Sequence, residues 1–175
     1  TVTREEPDTI PPGNVMGVTV SSLDRSVLMA WHNPPDVDFS NVLILQTEST
    51  PVAGTPSHGT SYSAGDMIGN AIVVYVGGSE EFEEINLQNG TDYFYVIHAV
   101  DDSFNYSSGV TAVARPEPPS YVLIVNNGSG TGSYTNGHQV AIFADAPASG
   151  YEFVEWTGDT SYVIGINSSN ALVTM

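Results

Sequence analysis

The 175-residue chain contains no cysteine. That absence excludes a disulfide framework, a thiolate nucleophile and a thiolate metal site. It does not exclude an extracellular home, because strand-rich domains of about 100 residues can close a core without crosslinks. Basic residues are nearly as scarce: 3 Lys+Arg stand against 20 Asp+Glu, for a formal net charge of -17. With no basic stripe, such a surface repels nucleic-acid phosphates. Acidic lipids and anionic polysaccharides are disfavoured for the same reason unless divalent cations bridge the charges. The simplest reading of the acidity is solubility, in surroundings whose salt screens self-repulsion. No uninterrupted apolar run is long enough to span a bilayer, so membrane insertion is not expected. No long stretch keeps a helical 3.6-residue period either. The opening Thr1–Glu6 lacks both a basic start and an apolar signal segment, so the expectation is an interior or mature piece of a longer protein.

What is present is enough apolar material to fold. Hydrophobic residues make up 41% and aromatics 10%, which argues against disorder, and the length allows one sizeable core or two modest ones. Residues 1–13, with Pro7, Pro11 and Pro12, read as a lead-in. Val15, Val18 and Val20 suggest a short edge strand. Ser26–Trp31 alternates, placing Val27, Met29 and Trp31 on one face. The run Asn33-Pro34-Pro35-Asp36-Val37-Asp38 must be a loop, because paired prolines remove ladder donors. Val42–Thr47 resumes a strand. Ser49–Asn70 is rich in Gly, Ser, Thr and Pro and reads as a long excursion before Ala71–Val76 re-enters a sheet. Ser79–Leu87 is a further strand, with acidic residues set against Phe82 and Ile85. Asn89-Gly90 is a turn. Asp92–Val100 alternates Tyr93, Tyr95, Ile97 and Ala99 against Phe94, Val96, His98 and Val100, and Gly109–Ala114 closes the sheet. Seven or eight strands separated by turns predict an all-β, Greek-key sandwich.

Residues 14–115 resemble a fibronectin type III domain of the bacterial extracellular type. The resemblance rests on Val27–Trp31, on Leu87-Gln88-Asn89-Gly90-Thr91-Asp92-Tyr93, and on Val96-Ile97-His98-Ala99-Val100-Asp101. It implies an immunoglobulin-like sandwich in which Trp31 and Leu87 fill the core. By the same resemblance, the Tyr93 hydroxyl ties a loop backbone to the sixth strand. The long Ser49–Asn70 excursion departs from the compact pattern of that family.

Residues 116–120 begin with Pro116-Glu117-Pro118-Pro119, a stiff linker. Beyond it, Tyr121–Val125, Gln139–Ala144, Tyr151–Trp156 and Ala171–Met175 read as strands. The Gly-rich Asn126–Gly132 is a hairpin crossing rather than a phosphate cradle, since no Gly-Lys-Ser/Thr follows. Residues 121–175 resemble the divergent internalin-type B-repeat, a small β-rich module of bacterial surface and secreted proteins. The correspondence runs through Val125-Asn126-Asn127-Gly128, Ser133-Tyr134-Thr135-Asn136-Gly137, Gly150-Tyr151-Glu152-Phe153, Trp156-Thr157-Gly158-Asp159 and Val173-Thr174-Met175.

No motif points to catalysis. His32, His58, His98 and His138 are dispersed, His98 lying within a strand where it faces solvent or pairs with a polar group. There is no His-Glu-x-x-His and no Gly-x-Ser-x-Gly. Glu80-Glu81 and Glu83-Glu84 read as a solvated strand face rather than a glycosidase pair, which needs a cleft between its carboxylates. The one cofactor expectation is calcium. In a fibronectin-like topology the loops after Trp31 and Val100 meet at one pole, bringing Asp36 and Asp38 near Asp101, Asp102 and Asn105. Against it, Asp and Asn also cap strands and turns by accepting backbone N–H bonds. For a sugar, Tyr62, Tyr134 and Trp156 are candidate stacking rings, beside Tyr151 and Tyr162; Trp156 also has the spacing of a core residue.

The expectation is therefore a non-catalytic spacer, stalk or adhesion segment of a larger bacterial surface or secreted protein. Its partners would be neighbouring domains and a protein or glycan at a cell surface. The competing reading is an accessory module that binds or positions polysaccharide for an enzyme.

Overall fold

The computed structural model describes residues 7–175, and Thr1–Glu6, the start of the lead-in, lie outside the described residues. Two units are present, one ending at Glu117 and the other spanning Pro118–Met175. Both are built from antiparallel strands, and among the described residues no helix is long and apolar enough to cross a membrane.

The first unit has eight strands: β1 (Met16–Leu23), β2 (Ser26–His32), β3 (Phe39–Glu48), β4 (Met67–Ile68), β5 (Ala71–Gly77), β6 (Glu81–Ile85), β7 (Tyr93–Asp101) and β8 (Val110–Ala114). They form a three-stranded sheet in the order β1-β2-β6 and a five-stranded sheet in the order β4-β5-β3-β7-β8. This is an immunoglobulin-like, fibronectin type III-like sandwich. Period-two alternation fills the space between the sheets. Val27, Met29 and Trp31 of β2 meet Val42 and Ile44 of β3 and Tyr93, Tyr95, Ile97 and Ala99 of β7. Trp31, only 2% exposed, packs edge-on to Tyr75 and donates its indole N–H to Asn33 Oδ1. Leu87 is buried, and the Gln88 N–H donates to the Tyr93 hydroxyl at 2.9 Å, fastening the β6–β7 connection to the base of β7. Tyr93 stands on the seventh strand rather than the sixth, because the two-residue β4 adds one to the count. At the entry to β1, Gly17 takes φ +61 at a bulge opposite β2, a conformation that suits glycine.

The excursion between β3 and β5 is not a free loop. Leu43, Leu45, Val73 and Val100 form a second apolar cluster on the opposite side of β3, β5 and β7, and Val52 and Tyr62 from the excursion pack onto it with Tyr106. Asn70 pins the excursion by accepting the Ala53 N–H and donating to the Pro51 carbonyl. The backbones at Ala53 and Gly69 run so close that a Cβ at Gly69 would collide with the Ala53 carbonyl oxygen. A third tie is the Tyr106 hydroxyl, which donates to the Thr60 carbonyl at 2.7 Å.

Strand β6 corrects the sequence reading. Phe82 and Glu84 point inward, whereas Glu81, Glu83 and Ile85 are exposed. Alternation couples residues two apart, so Phe82 carries Glu84 in with it and turns Ile85 out. Of the two alternatives for His98, the structure shows the polar partner: the ring is buried against the Ser107 carbonyl.

In the second unit β9 (Ser120–Leu123) pairs with β11 (Gly132–Thr135). The other sheet has the order β10 (Gly128–Ser129), β12 (Gln139–Ala144), β14 (Asn170–Thr174), β13 (Val163–Ile164). Its core is Ile142, Ala171 and Val173, with Leu123, Val125, Trp156, Val163 and Met175 packed against them. Tyr151–Trp156 is not a strand. A single anchor holds this segment: the Trp156 backbone N–H donates to the Ile166 carbonyl and its indole to that of Ser168. Tyr151 and Val154 are exposed instead of lying on a ladder.

Tyr93→Phe keeps the ring and strips the acceptor from the Gln88 N–H, and is expected to cost about 1 kcal/mol. Trp31→Ala leaves a core cavity and is expected to cost about 3–5 kcal/mol. Urea midpoints of the two variants check both; an unchanged midpoint in Tyr93→Phe would show that the hydroxyl does not hold the corner as described.

Candidate functional site

Three chain segments meet at one end of the sandwich: the lead-in, the β2–β3 loop and the turn after β7. Asp101, the last residue of β7, is 1% exposed. Its Oδ1 accepts the N–H groups of Ser103 and Asn105, and its Oδ2 accepts the Asn105 amide at 2.8 Å. The Asp102 N–H donates to the Asp38 carbonyl, joining the turn to the β2–β3 loop. Asp36 accepts the Gly13 N–H, and Asn105 donates to the Asp8 carbonyl, so the lead-in is sewn onto the same pole.

One carboxylate oxygen each from Asp8, Asp38 and Asp101 lies within 4.8 Å of the others. Hard oxygen donors gathered this closely can ligate a metal ion. Of the residues expected from sequence, Asp38 and Asp101 are in this trio, and Asp36 and Asp102 are not. Asn105 supports it as an N–H donor. Asp8 was not foreseen, because nothing local in a proline-rich lead-in signals which distant turn it will meet.

The aromatic candidates are largely engaged with the protein. Tyr62 packs edge-on to Tyr106 at 5.9 Å and accepts the Ser57 N–H. Tyr134 stacks on His138 at 5.5 Å and donates to the Gly130 carbonyl. Trp156 leans on Phe153 and joins the small core. Tyr121, Tyr151 and Tyr162 are the exposed tyrosines of the second unit.

Three titratable side chains, the half-buried Glu84 and the buried Tyr95 and His98, serve the fold. Glu84 Oε2 accepts the Tyr95 hydroxyl at 2.7 Å, a bond from one sheet to the other. Burial raises the Glu84 pKa above its ordinary value, the Tyr95 bond works against that rise, and the Glu48 carboxylate adds to it. Tyr95 is raised too, first by burial and then by Glu84, so the phenol keeps its proton. His98 lies against the Ser107 carbonyl through Nδ1 at 2.8 Å, and its Nε2 is buried with no protein partner. Burial lowers the His98 pKa, and the Ser107 bond opposes that only in part. The ring is therefore neutral at pH 7, with Nδ1 as the donor.

A family model described as the divergent InlB B-repeat domain matches residues 121–175. The chain thus carries a region similar to that domain beside a fibronectin type III-like sandwich. Among solved structures, the spore cortex lytic enzyme SleM of Clostridium perfringens is 12% identical with a TM-score of 0.44, the match covering 61% of this chain and 29% of that one. A beta-1,2-glucanase from Parabacteroides distasonis is 17% identical with a TM-score of 0.44, covering 63% of this chain and 14% of that one. An Fn3-like protein from Clostridium thermocellum is 14% identical with a TM-score of 0.41, covering 64% of this chain and all of the other. A search of curated proteins finds no match.

The two titrations have opposite signs. For His98 the folded pKa lies below the unfolded value near 6.5. Stability is complete above that value and is lost as pH falls, because the unfolded chain takes up a proton that the folded one resists. The imidazole C–H resonance of His98 is expected to titrate below pH 6.5; titration at or above that value would contradict the buried neutral ring. For Glu84 the folded pKa is raised above 4.5. Its contribution is complete below that value and is lost as pH rises through the folded pKa. Glu84→Gln, which keeps an acceptor for Tyr95, is expected to be more stable than the parent at pH 8. Denaturation at pH 8 and pH 4 checks this, with the gain shrinking at pH 4.

Proposed function

We propose that this chain is a non-catalytic scaffold, a spacer, stalk or adhesion segment of a larger bacterial surface or secreted protein. The observation that carries the reading is the succession of two all-β units, each with its own apolar core, the second similar to a B-repeat. The use of the buried ionisable groups supports it. Glu84 is bonded to Tyr95, His98 to the Ser107 carbonyl and Asp101 within its own turn, so each has a structural task. A hydrolase would need two such groups with unequal proton affinities beside bound substrate. Incubating the chain with plant, fungal and bacterial cell-wall polysaccharides is expected to release no reducing ends; catalytic release abolished by one carboxylate substitution would overturn the scaffold reading.

Calcium is the ion we propose for the Asp8–Asp38–Asp101 pole. Three carboxylates held together repel one another, and a divalent cation would relieve that repulsion while fixing the lead-in to the sandwich. Asp101 is already oriented by three N–H donors, which leaves it preorganised. Millimolar calcium is expected to raise the melting temperature of the metal-free chain, by about 2.7 kcal/mol of added stability at a hundredfold excess over Kd. The Asp8→Asn/Asp38→Asn double variant is expected to lose the shift. No shift in the parent chain would remove calcium from the proposal and leave the scaffold reading standing.

A further inference from the structure

We propose that the second unit carries a binding groove for a neutral glycan, separate from the acidic pole and independent of the spacer role. A cavity of about 710 Å³ has a polar side formed by Tyr121, Asn126, Asn136, Thr157, Asp159 and Tyr162 and an apolar side that includes Val122 and Ile124, with strand β9 along one wall. The volume lies in the range of roughly 300–1,000 Å³ typical of small-ligand sites, and gives room for a short oligosaccharide.

The lining has the chemistry of sugar recognition. Tyr121 is 48% exposed and Tyr162 67%, and among the described residues neither hydroxyl has a protein partner. Exposed rings of this kind offer apolar faces to the C–H faces of pyranoses, with a hydroxyl at the edge for a polar contact. The amides of Asn126 and Asn136 likewise make no side-chain bond to the protein. In the first unit Asn14, Asn33, Asn70, Asn89 and Asn105 bond protein atoms, while the exposed Asn86, like the groove amides, does not. Free amides carry both donors and acceptors, as hydroxyl-rich ligands require.

Charge selects the class. Pro118–Met175 contains no Lys or Arg, so a uronate, phosphate or nucleotide would find no counter-charge in an acidic surface. Asp159 is the single carboxylate among the groove residues. Its Oδ1 accepts the Ser161 N–H only at 3.4 Å, which leaves it able to accept sugar hydroxyls. A purely apolar partner would leave these amides, hydroxyls and the carboxylate desolvated and unpaired. A neutral polyol with apolar faces satisfies both kinds of surface.

The test is a titration of the full chain, followed by backbone amide NMR, with cellohexaose, xylohexaose, mannohexaose and chitohexaose. At least one is expected to give saturable shifts at Tyr121, Asn126, Asn136 and Tyr162. Tyr162→Ala and Asn136→Ala are each expected to weaken binding about tenfold, or about 1.4 kcal/mol. Tyr151→Ala, at an exposed ring outside the groove, is expected to leave binding unchanged. Absence of saturable shifts with all four sugars, shifts mapping elsewhere, or equal loss in Tyr151→Ala would overturn the groove. A hexagalacturonate that binds as well as the neutral sugars would overturn the charge argument. Saturation by a lysine-rich peptide with none by the sugars would overturn the glycan and assign the groove to a cationic partner.

Discussion

The pairing of β3 with β7 is the constraint on which the first unit depends. Their register runs from Phe39 opposite Asp101 to Glu48 opposite Tyr93. Both strands are buried on both faces over much of that length: Val42, Ile44, Ile97 and Ala99 look into the sandwich, while Leu43, Leu45 and Val100 look the other way. A one-residue slip would exchange these sets and leave neither packed. Burial on two faces demands two covers. The β1-β2-β6 sheet supplies one, and the excursion after β3 supplies the other through Val52 and Tyr62. This is why a segment of loop composition is tied so closely at Asn70, Gly69 and Tyr106. Without it, Leu43, Leu45 and Val73 would face water, at roughly 1.5–3 kcal/mol for each large side chain.

A doubly buried strand pair leaves little tolerance for polar groups, and several on it have a partner nearby. The Thr47 hydroxyl donates to the Thr50 carbonyl. Tyr95 reaches across the sandwich to Glu84, and Asp101 accepts three N–H bonds within its own turn. His98 is the incomplete case, with Nε2 unpartnered; Val96 and His98 also leave no space for a Cβ at Gly109. The Glu84–Tyr95 pair shows which effect dominates. Burial outweighs the hydrogen bond and raises the carboxyl pKa, so the bond to Tyr95 does not fully offset the cost of burying the charged carboxylate.

Much of this architecture was legible from strict alternation. Val27, Met29 and Trp31, and the four-residue series from Tyr93 to Ala99, announce an inward face because period two has one geometric meaning. The bounds of β12 were readable for the same reason. What alternation could not tell was which residues an outer cover would bury. For His98 alternation left solvent or a polar partner open, and the turn at Asn105–Gly109 supplies the partner through the Ser107 carbonyl. Glu84 looked solvated because four glutamates in five residues mask a pattern set by Phe82. Tyr151–Trp156 has strand composition but no ladder partner, since pairing is a property of two segments and the sequence shows one at a time. The acidic pole was half readable: loop order placed Asp38 near Asp101, whereas Asp8 arrives through hydrogen bonds from the lead-in, which have no local signature.

The two units differ in how many of their polar side chains and aromatic rings they tie to a core. In the first, asparagines and buried carboxylates are consumed in fastening loops to a large core, so its surface offers loop ends, chiefly the aspartate pole. In the second, Ile142, Ala171 and Val173 make a core too small to draw every ring inward, and Trp156 and Tyr134 are held at its margin. Tyr121 and Tyr162 are left outside it with unbonded amides beside them. A small β module that cannot bury all its aromatics must expose some of them, at a cost in solubility that the surrounding acidic surface offsets. Exposed rings set among neutral hydrogen-bonding groups are what the proposed groove would use, and the lack of Lys and Arg in that unit is why the proposal names a ligand without negative charge.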